Sequence, residues 1–251
     1  MSYSKNATIV LVHGAWADGS SWELVIRKLQ QQGWNVVTAP LPLTSLSDDA
    51  AALRRTIDRT EGPVILAGHA YAGAVIGTAH EERVKALVYI AALAPDEGET
   101  VAQVFYRDEP HPDAPKLAPD ADGFIWMPDT GFEQAFAQNA TDEQIAVTRA
   151  VQRPIAVKSI QEPVTTPAWK SKPSWYLIAE DDRMINRKTQ RFMAERMHAM
   201  MESFAVDHTP LLTAPEKVVD IILEAAQSTL AGRETAHAGQ EDNIGTAGNI
   251  L

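Results

Sequence analysis

The chain has 251 residues, of which 45% are hydrophobic and 22% are charged, and it contains no cysteine. This length fits one α/β domain with an insertion, and the apolar content is sufficient for a large core without disulfides or a structural metal. The net charge of -11 repels phosphate backbones and anionic lipid surfaces, and the lack of cysteine excludes thiolate catalysis. We therefore expect no nucleic-acid partner and no membrane partner.

The beginning of the sequence, MSYSKNATIVLVHGAW, has one basic residue and a short apolar run without the cleavage pattern of a signal peptide. No stretch approaches the roughly 18 apolar residues that a membrane span needs. The expected location is cytoplasmic.

The first half of the chain predicts strands and helices in strict alternation. Dense β-branched runs without polar alternation indicate strands buried on both faces of a parallel sheet, and apolar residues at helical spacing indicate the helices between them. Ser20 or Ser21 and Ser47 are suitable residues for the helix starts. The predicted strands cover 8–12, 34–39, 63–67 and 84–91, and the predicted helices follow the first three of them.

The alternation then stops and later resumes. Residues 95–169 contain most of the prolines and several aromatic residues, which predicts a cap insertion with short helices such as 142–152. A strand over 174–179, a helix over 187–198, a strand over 201–206 and a helix over 215–230 are predicted to complete a mostly parallel, doubly wound sheet of about six strands. The core is thus 1–94 and 170–231, and the polar, Gly-rich stretch 232–251 is a predicted flexible tail or arm.

The junction after the third strand reads Gly68-His69-Ala70-Tyr71-Ala72-Gly73. A buried strand, a sharp turn with small residues and a following helix are the context of the G-x-S-x-G nucleophile elbow. Ala70 occupies the serine position. A methyl group has no lone pair and no proton to transfer, so this chain is predicted to form no acyl-enzyme.

Acyl transfer also needs a base, a carboxylate that orients the base, and donors for the oxyanion. His208 follows the last predicted strand and is the candidate base. Asp182, with Asp181 as the alternative, follows the strand after the insertion and is the candidate acid. The oxyanion donors are predicted to be the backbone N–H groups of Ala15 and Tyr71.

Together these stretches resemble the α/β-hydrolase superfamily, in particular the compact esterase branch that is similar to plant methylesterases and hydroxynitrile lyases. The resemblance spans roughly residues 9–230. It rests on Val12-His13-Gly14-Ala15-Trp16, on Gly68 to Gly73, on Asp182-Arg183 and on His208.

The resemblance implies a Ser-His-Asp carboxylic ester hydrolase that acts on a small, largely apolar ester or acyl compound without cofactor or metal. Aromatic residues are expected to line an apolar substrate pocket. A homodimer is compatible with the sequence. The expected substrate-binding residues are Trp16, Phe124, Trp126, Phe132 and Phe136.

Three hypotheses account for Ala70. In the first, alanine replaces a serine and inactivates a hydrolase whose other catalytic residues remain. In the second, a natural enzyme without serine uses His208 and Asp182 as a general-base pair for a lyase, isomerase or cyclase reaction. In the third, the chain is a non-catalytic protein that binds a ligand in the old pocket.

Overall fold

The computed structural model describes residues 6–231, and the predicted tail at 232–251 lies outside these residues. One six-stranded parallel sheet has the order β2-β1-β3-β4-β7-β8. A two-stranded antiparallel ribbon, β5-β6, lies apart from it. The strands are β1 (Thr8–Val12), β2 (Asn35–Ala39), β3 (Val64–His69), β4 (Val84–Ile90), β5 (Phe124–Ile125), β6 (Ile155–Ala156), β7 (Ser174–Ala179) and β8 (Met200–Phe204).

Helices connect the strands of the main sheet and cover both of its faces. The α-helices are α1 (Glu23–Gln31), α2 (Leu46–Asp58), α3 (Ala72–Ile76), α4 (Val101–Phe105), α5 (Asp129–Gly131), α6 (Asp142–Ala150), α7 (Val157–Gln161), α8 (Arg187–Arg196), α9 (Pro210–Thr213) and α10 (Pro215–Leu230). Shorter turns are the 3-10 helices Gly19–Trp22 and Ala168–Lys170 and a π-helical turn at Phe132–Phe136.

Two apolar clusters hold these layers together. One face of the sheet packs against α1 and α10 through residues such as Val25 and Ile222. The other face packs against α2, α3 and α8 and continues into the 95–169 segment. This arrangement is the mostly parallel, doubly wound sheet that the alternation of elements predicts, buried on both faces, and it agrees with the α/β-hydrolase fold that the resemblance implies.

The helix starts differ in detail from the sequence expectation. The serines Ser20 and Ser21 lie inside a 3-10 turn that is capped by the Asp18 side chain. Ser45, and not Ser47, caps α2 by accepting a hydrogen bond from the Asp48 N–H. Asp18 and Ser45 lie slightly earlier in the chain than the predicted serines and can cap a helix equally well. The sequence alone does not distinguish these capping residues from the predicted ones.

The strand order places the functional loops at one edge of the sheet. The chain moves from β1 outward to β2 and then returns to β3 on the other side of β1, so the order reverses at β1. In open α/β sheets, ligands bind outside the carboxyl ends of the strands at such a reversal. The loops after β1, β3, β7 and β8 all leave from this edge.

Candidate active site

The turn after β3 has the strained geometry of a nucleophile elbow. Ala70 has a φ of 51°, a left-handed conformation that a non-glycine residue rarely adopts. Small neighbours permit the turn: a Cβ at Gly68 would lie 2.8 Å from the Ala72 carbonyl oxygen, and one at Gly73 would lie 2.3 Å from the Leu93 carbonyl oxygen. The Ala70 methyl group therefore stands where an elbow presents its nucleophile.

His208 and Asp182 form a buried pair. The imidazole Nδ1 lies 2.8 Å from Asp182 Oδ2, and both side chains are almost completely buried. The Asp182 carboxylate accepts further hydrogen bonds from the backbone N–H groups of Met184 (2.7 Å) and Ile185 (2.8 Å) and from Gln190 Nε2 (2.8 Å). These donors fix the carboxylate, and Asp182, not Asp181, is the acid that contacts His208.

The second ring nitrogen of His208, Nε2, is not used in the contact with Asp182. With Nδ1–H donating to Asp182, the neutral ring leaves Nε2 as an acceptor. Nε2 has no hydrogen-bond partner among the described residues, and His208 and Ala70 line the same cavity. A neutral imidazole with an unpartnered Nε2 at a cavity wall is chemically able to act as a general base.

His69 contacts the backbone of His208, the candidate base, and its position in the sequence did not indicate this contact. Its Nε2 lies 2.6 Å from the His208 carbonyl oxygen, and complete burial lowers the pKa of His69 to about 3. The ring is therefore neutral and donates Nε2–H to that carbonyl. Gln190 was missed in the same way, because a glutamine on the buried face of a helix has no distinctive local pattern.

The two predicted oxyanion donors lie near the elbow. A Cβ built at Gly14 would lie 3.1 Å from the Ala70 methyl and 3.6 Å from the Tyr71 nitrogen, so the loop after β1 touches the elbow. Within residues 6–231, no carbonyl accepts a hydrogen bond from the N–H of Ala15 or Tyr71. Both donors are thus available to a ligand.

His13 holds the loop that carries Ala15. Its Nδ1 lies 2.9 Å from the Gly14 carbonyl oxygen, and its Nε2 accepts a hydrogen bond from the Leu41 N–H at 3.1 Å. Burial lowers the pKa of His13, which agrees with a neutral ring that donates from Nδ1. The next residue after Ala15, Trp16, is fixed by hydrogen bonds from its N–H to the Arg153 carbonyl and from its indole to the Ile125 carbonyl.

Asp49 is a buried carboxyl group attached to the elbow. It accepts hydrogen bonds from the Tyr71 hydroxyl at 2.6 Å and from the Leu43 N–H at 2.7 Å. Burial raises the pKa of Asp49 to about 6 despite these bonds. In the sequence Asp49 resembles an ordinary acidic residue of a helix N-terminus, so its contact with Tyr71 was not predicted.

An apolar cavity of about 60 Å³ lies above Ala70. It is bounded by the loop after β1, the elbow, α4 and the 95–169 segment. Its lining includes Ala15, Trp16, Ala70, Tyr71, Leu93, Val101, Ala102, Phe105, Tyr106, Leu117, Ile125, Phe136, Ile155, Ile160, Met184, Ile185 and His208.

Of the five aromatic residues expected to bind substrate, Trp16 and Phe136 line this cavity, and the other three do not. Trp126 is 49% exposed and its indole donates to Asp120, while Phe132 is completely buried against Phe136 in the core. Phe124 lies on the short strand β5, where its neighbour Ile125 lines the cavity instead. Side chains alternate along a strand, so this correction follows from the register.

The described residues hold no group of three or more histidine, cysteine, aspartate or glutamate side chains that could bind a metal ion. Among them there is also no helix with the length and apolar character to cross a membrane.

Comparison with known proteins identifies the family to which this fold and elbow belong. A model of the alpha/beta hydrolase family matches residues 9–221. A pyrethroid hydrolase of Sphingobium wenxiniae (strain DSM 21828 / CGMCC 1.7748 / JZ-1) is 24% identical, and the match covers 96% of this chain and 95% of that protein.

Solved structures show the same fold at lower identity. Polyneuridine aldehyde esterase matches with a TM-score of 0.76 at 17% identity, covering 87% of this chain and 98% of that one. A mutant of tomato methylketone synthase I matches with a TM-score of 0.77 at 16% identity, covering 89% of this chain and 99% of that one. The fold, the elbow and the family match agree, and the chain belongs to the α/β-hydrolase family.

Proposed function

We propose that this site is that of a carboxylic ester hydrolase for small, largely apolar esters, in which Ala70 prevents formation of an acyl-enzyme. The observation that carries the proposal is the buried His208–Asp182 pair, in which Nε2 is free of partners among the described residues and His208 lines the same cavity as Ala70. The pyrethroid hydrolase among the relatives fits this assignment. The small apolar cavity favours a ligand with a short hydrocarbon group on its carbonyl carbon.

The proposed chemistry is complete except for one oxygen atom. In a serine version, the hydroxyl would attack the ester carbonyl while His208 Nε2 accepts its proton, and the N–H groups of Ala15 and Tyr71 would bind the oxyanion. His208 would then return the proton to the leaving alcohol. With alanine, the same site binds the ester, but no atom of the elbow can attack it.

Restoring the hydroxyl tests the proposal. We expect Ala70→Ser to hydrolyse p-nitrophenyl acetate and butyrate roughly 10³-fold faster than the unchanged chain, because covalent catalysis by an intact triad exceeds the residual effect of binding and oxyanion donors by about this factor or more. The release of p-nitrophenol is followed by absorbance.

The matched control is Ala70→Ser combined with His208→Ala, which keeps the new hydroxyl but lacks the base. We expect this double variant to return to the rate of the unchanged chain. If Ala70→Ser folds with an unaltered melting temperature and hydrolyses neither ester faster than the unchanged chain, the esterase assignment is wrong.

A second candidate function uses the site as it stands. The His208–Asp182 pair and the oxyanion donors suit proton transfer to or from a carbon beside a carbonyl group, which requires no nucleophile. One structural neighbour is called a methylketone synthase. A methyl ketone forms from a 3-oxo acid in a balanced sequence: the carboxylic acid gives its proton to His208 Nε2, the bond to the carboxylate breaks, the electron pair moves to the ketone oxygen as an enolate, CO₂ leaves, and Nε2 returns the proton to the carbon.

This second function predicts activity of the unchanged chain. With 3-oxooctanoate as the probe, heptan-2-one would form faster than in buffer and would be measured by gas chromatography. His208→Ala is the control, because it removes the group that donates the proton. Equal rates for the unchanged chain and His208→Ala would exclude this use of the site.

A further inference from the structure

Phe136 occupies a central position beside the candidate base. It ends the π-helical turn and is 1% exposed. Its ring centroid lies 5.4 Å from that of His208, 6.3 Å from that of Trp16 and 6.4 Å from that of His69. The ring therefore packs directly against the residues that surround the reacting position.

Phe136 also lines a second cavity, which opens to the surface because its other lining residues include the exposed side chains Ser20, Glu23 and Val147. Its volume is about 270 Å³, compared with about 60 Å³ for the cavity above Ala70. Among the described residues, Phe136 alone lines both cavities. The rest of the second lining comes mainly from α6, the 3-10 turn after β1 and the His208 loop, and includes Ala17, Ser20, Leu24, Val147, Thr148 and Thr209.

The backbone at Phe136 is held in place. The Thr209 hydroxyl donates a hydrogen bond of 2.6 Å to the Phe136 carbonyl oxygen, and Thr209 follows His208 directly. The edge-on contacts with Trp16 and Phe132 restrict the ring from two further sides. Since interiors are close-packed, a ring fixed in this way is a wall and not a loosely hinged side chain.

We propose that Phe136 is the residue that determines the length of the hydrocarbon chain the site accepts. Its ring closes the apolar cavity at the end next to His208, and the larger second cavity is the space that a longer chain would enter without it. This inference rests on the proposed function, since it assumes an apolar carbonyl ligand above Ala70. The Phe136 side chain therefore sets the limit on chain length, because the second cavity, which it also lines, offers further space.

The test measures binding of linear alkan-2-ones of four to eleven carbons to the unchanged chain by isothermal titration calorimetry. Each buried methylene should strengthen binding about fourfold until the chain reaches Phe136, after which the affinity levels off. In Phe136→Ala we expect the levelling-off to move to ketones at least three carbons longer. Phe136→Leu, which retains more of the packing, should give a smaller shift in the same direction.

A blocking variant identifies where the additional carbons go. Thr148 lines the second cavity and not the first. Phe136→Ala combined with Thr148→Phe fills the second cavity again and should return the levelling-off to its original length. Cooperative thermal unfolding of each variant shows that the fold is kept.

The outcomes separate this inference from the proposed function. An unchanged length limit in folded Phe136→Ala and Phe136→Leu overturns the role of Phe136, and so does a longer limit that persists in the Thr148→Phe double variant. Failure of the unchanged chain to bind any of the ketones contradicts the apolar carbonyl ligand itself, and the inference is lost with it. Ester hydrolysis by Ala70→Ser remains an independent measure of the proposed function.

Discussion

Ala70 has the left-handed backbone conformation of a nucleophile elbow, and its side chain carries no hydroxyl. A non-glycine residue with a positive φ costs on the order of 1 kcal/mol or more, which the surrounding packing must offset. The residues around it are equally specific: the neutral rings of His13 and His69 each make hydrogen bonds that hold a functional loop. At the level of single residues, the site is a set of hydrogen-bonded positions around a methyl group.

Asp49 provides a test of this buried network through pH. Because burial raises its pKa to about 6 in the folded chain, the native state holds this proton more tightly than the unfolded state. The free energy of unfolding contributed by Asp49 is therefore greatest below about pH 4, falls as pH rises toward 6, and stays low above it. From this shift, the loss is roughly 3 kcal/mol.

We expect Asp49→Asn to remove this loss. The amide can accept from the Leu43 N–H and donate to the Tyr71 oxygen, so the fold is retained. Urea unfolding of both proteins between pH 4 and 7 measures their free energies of unfolding. As pH rises, the free energy of unfolding of Asp49→Asn should increase relative to that of the unchanged chain. A difference that is constant with pH would show that Asp49 does not titrate in this range.

At the level of elements, the strand-turn-helix unit of β3 and α3 is the place where the loops after β1 and β8 meet. Glycine lets the helix approach the loop that follows β4: Gly73 lies so close to this loop that a Cβ would be 2.3 Å from the Leu93 carbonyl oxygen and 2.9 Å from the Ala92 Cβ. The neighbouring loop contributes Leu93 to the cavity lining. Packing at this one residue thus links the elbow to the apolar cavity above Ala70.

Gly73→Ala should therefore destabilise the protein strongly. The added methyl meets backbone atoms that cannot turn away as a flexible side chain would, so we expect a loss of about 3 kcal/mol in the free energy of unfolding. Gly77→Ala is the matched control, because its Cβ would come no closer than 3.2 Å to the nearest atom and should change stability by about 1 kcal/mol or less. Similar unfolding midpoints in urea for the two variants would contradict this explanation.

At the level of the whole molecule, the 95–169 segment is joined to the sheet loops by specific hydrogen bonds. Thr209 donates to the Phe136 carbonyl, the Asn139 N–H donates to Asp207, and the Gln138 side chain donates to the Asp181 carbonyl. On the opposite side of the cavity, Trp16 bonds to the carbonyls of Ile125 and Arg153. Both walls of the cavity are thus fixed to the segment that covers it.

These connections predict that the segment and the sheet unfold together. Far-UV circular dichroism and tryptophan fluorescence should give superimposable urea transitions, since Trp126 and Trp169 lie in the segment and four other tryptophans lie in the rest of the chain. Thr209→Val, which removes one connecting hydrogen bond, should lower stability by about 1 kcal/mol without separating the transitions. A fluorescence change that precedes the loss of helix signal would indicate a segment that unfolds independently.

The sequence by itself determined the fold class, the order of the main elements and the bounds of several of them. Buried parallel strands appear in the sequence as continuous apolar runs, and the predicted bounds of β1 and β7 agree with the structure. The predicted bounds of α10 also agree, because Pro215 marks its first turn. The position of Ala70 in the elbow and the candidates His208 and Asp182 were also readable, because loops at strand ends have fixed places in this fold. These features depend on local pattern and chain order.

The tertiary structure decided which side chains meet. It selected Asp182 over Asp181, brought His69 behind His208, and joined Asp49 to Tyr71 across 22 positions of sequence. It also placed Phe136 between two cavities and left Trp126 at the surface. Such contacts depend on the packing of distant segments, about which a residue's own sequence neighbourhood carries no signal.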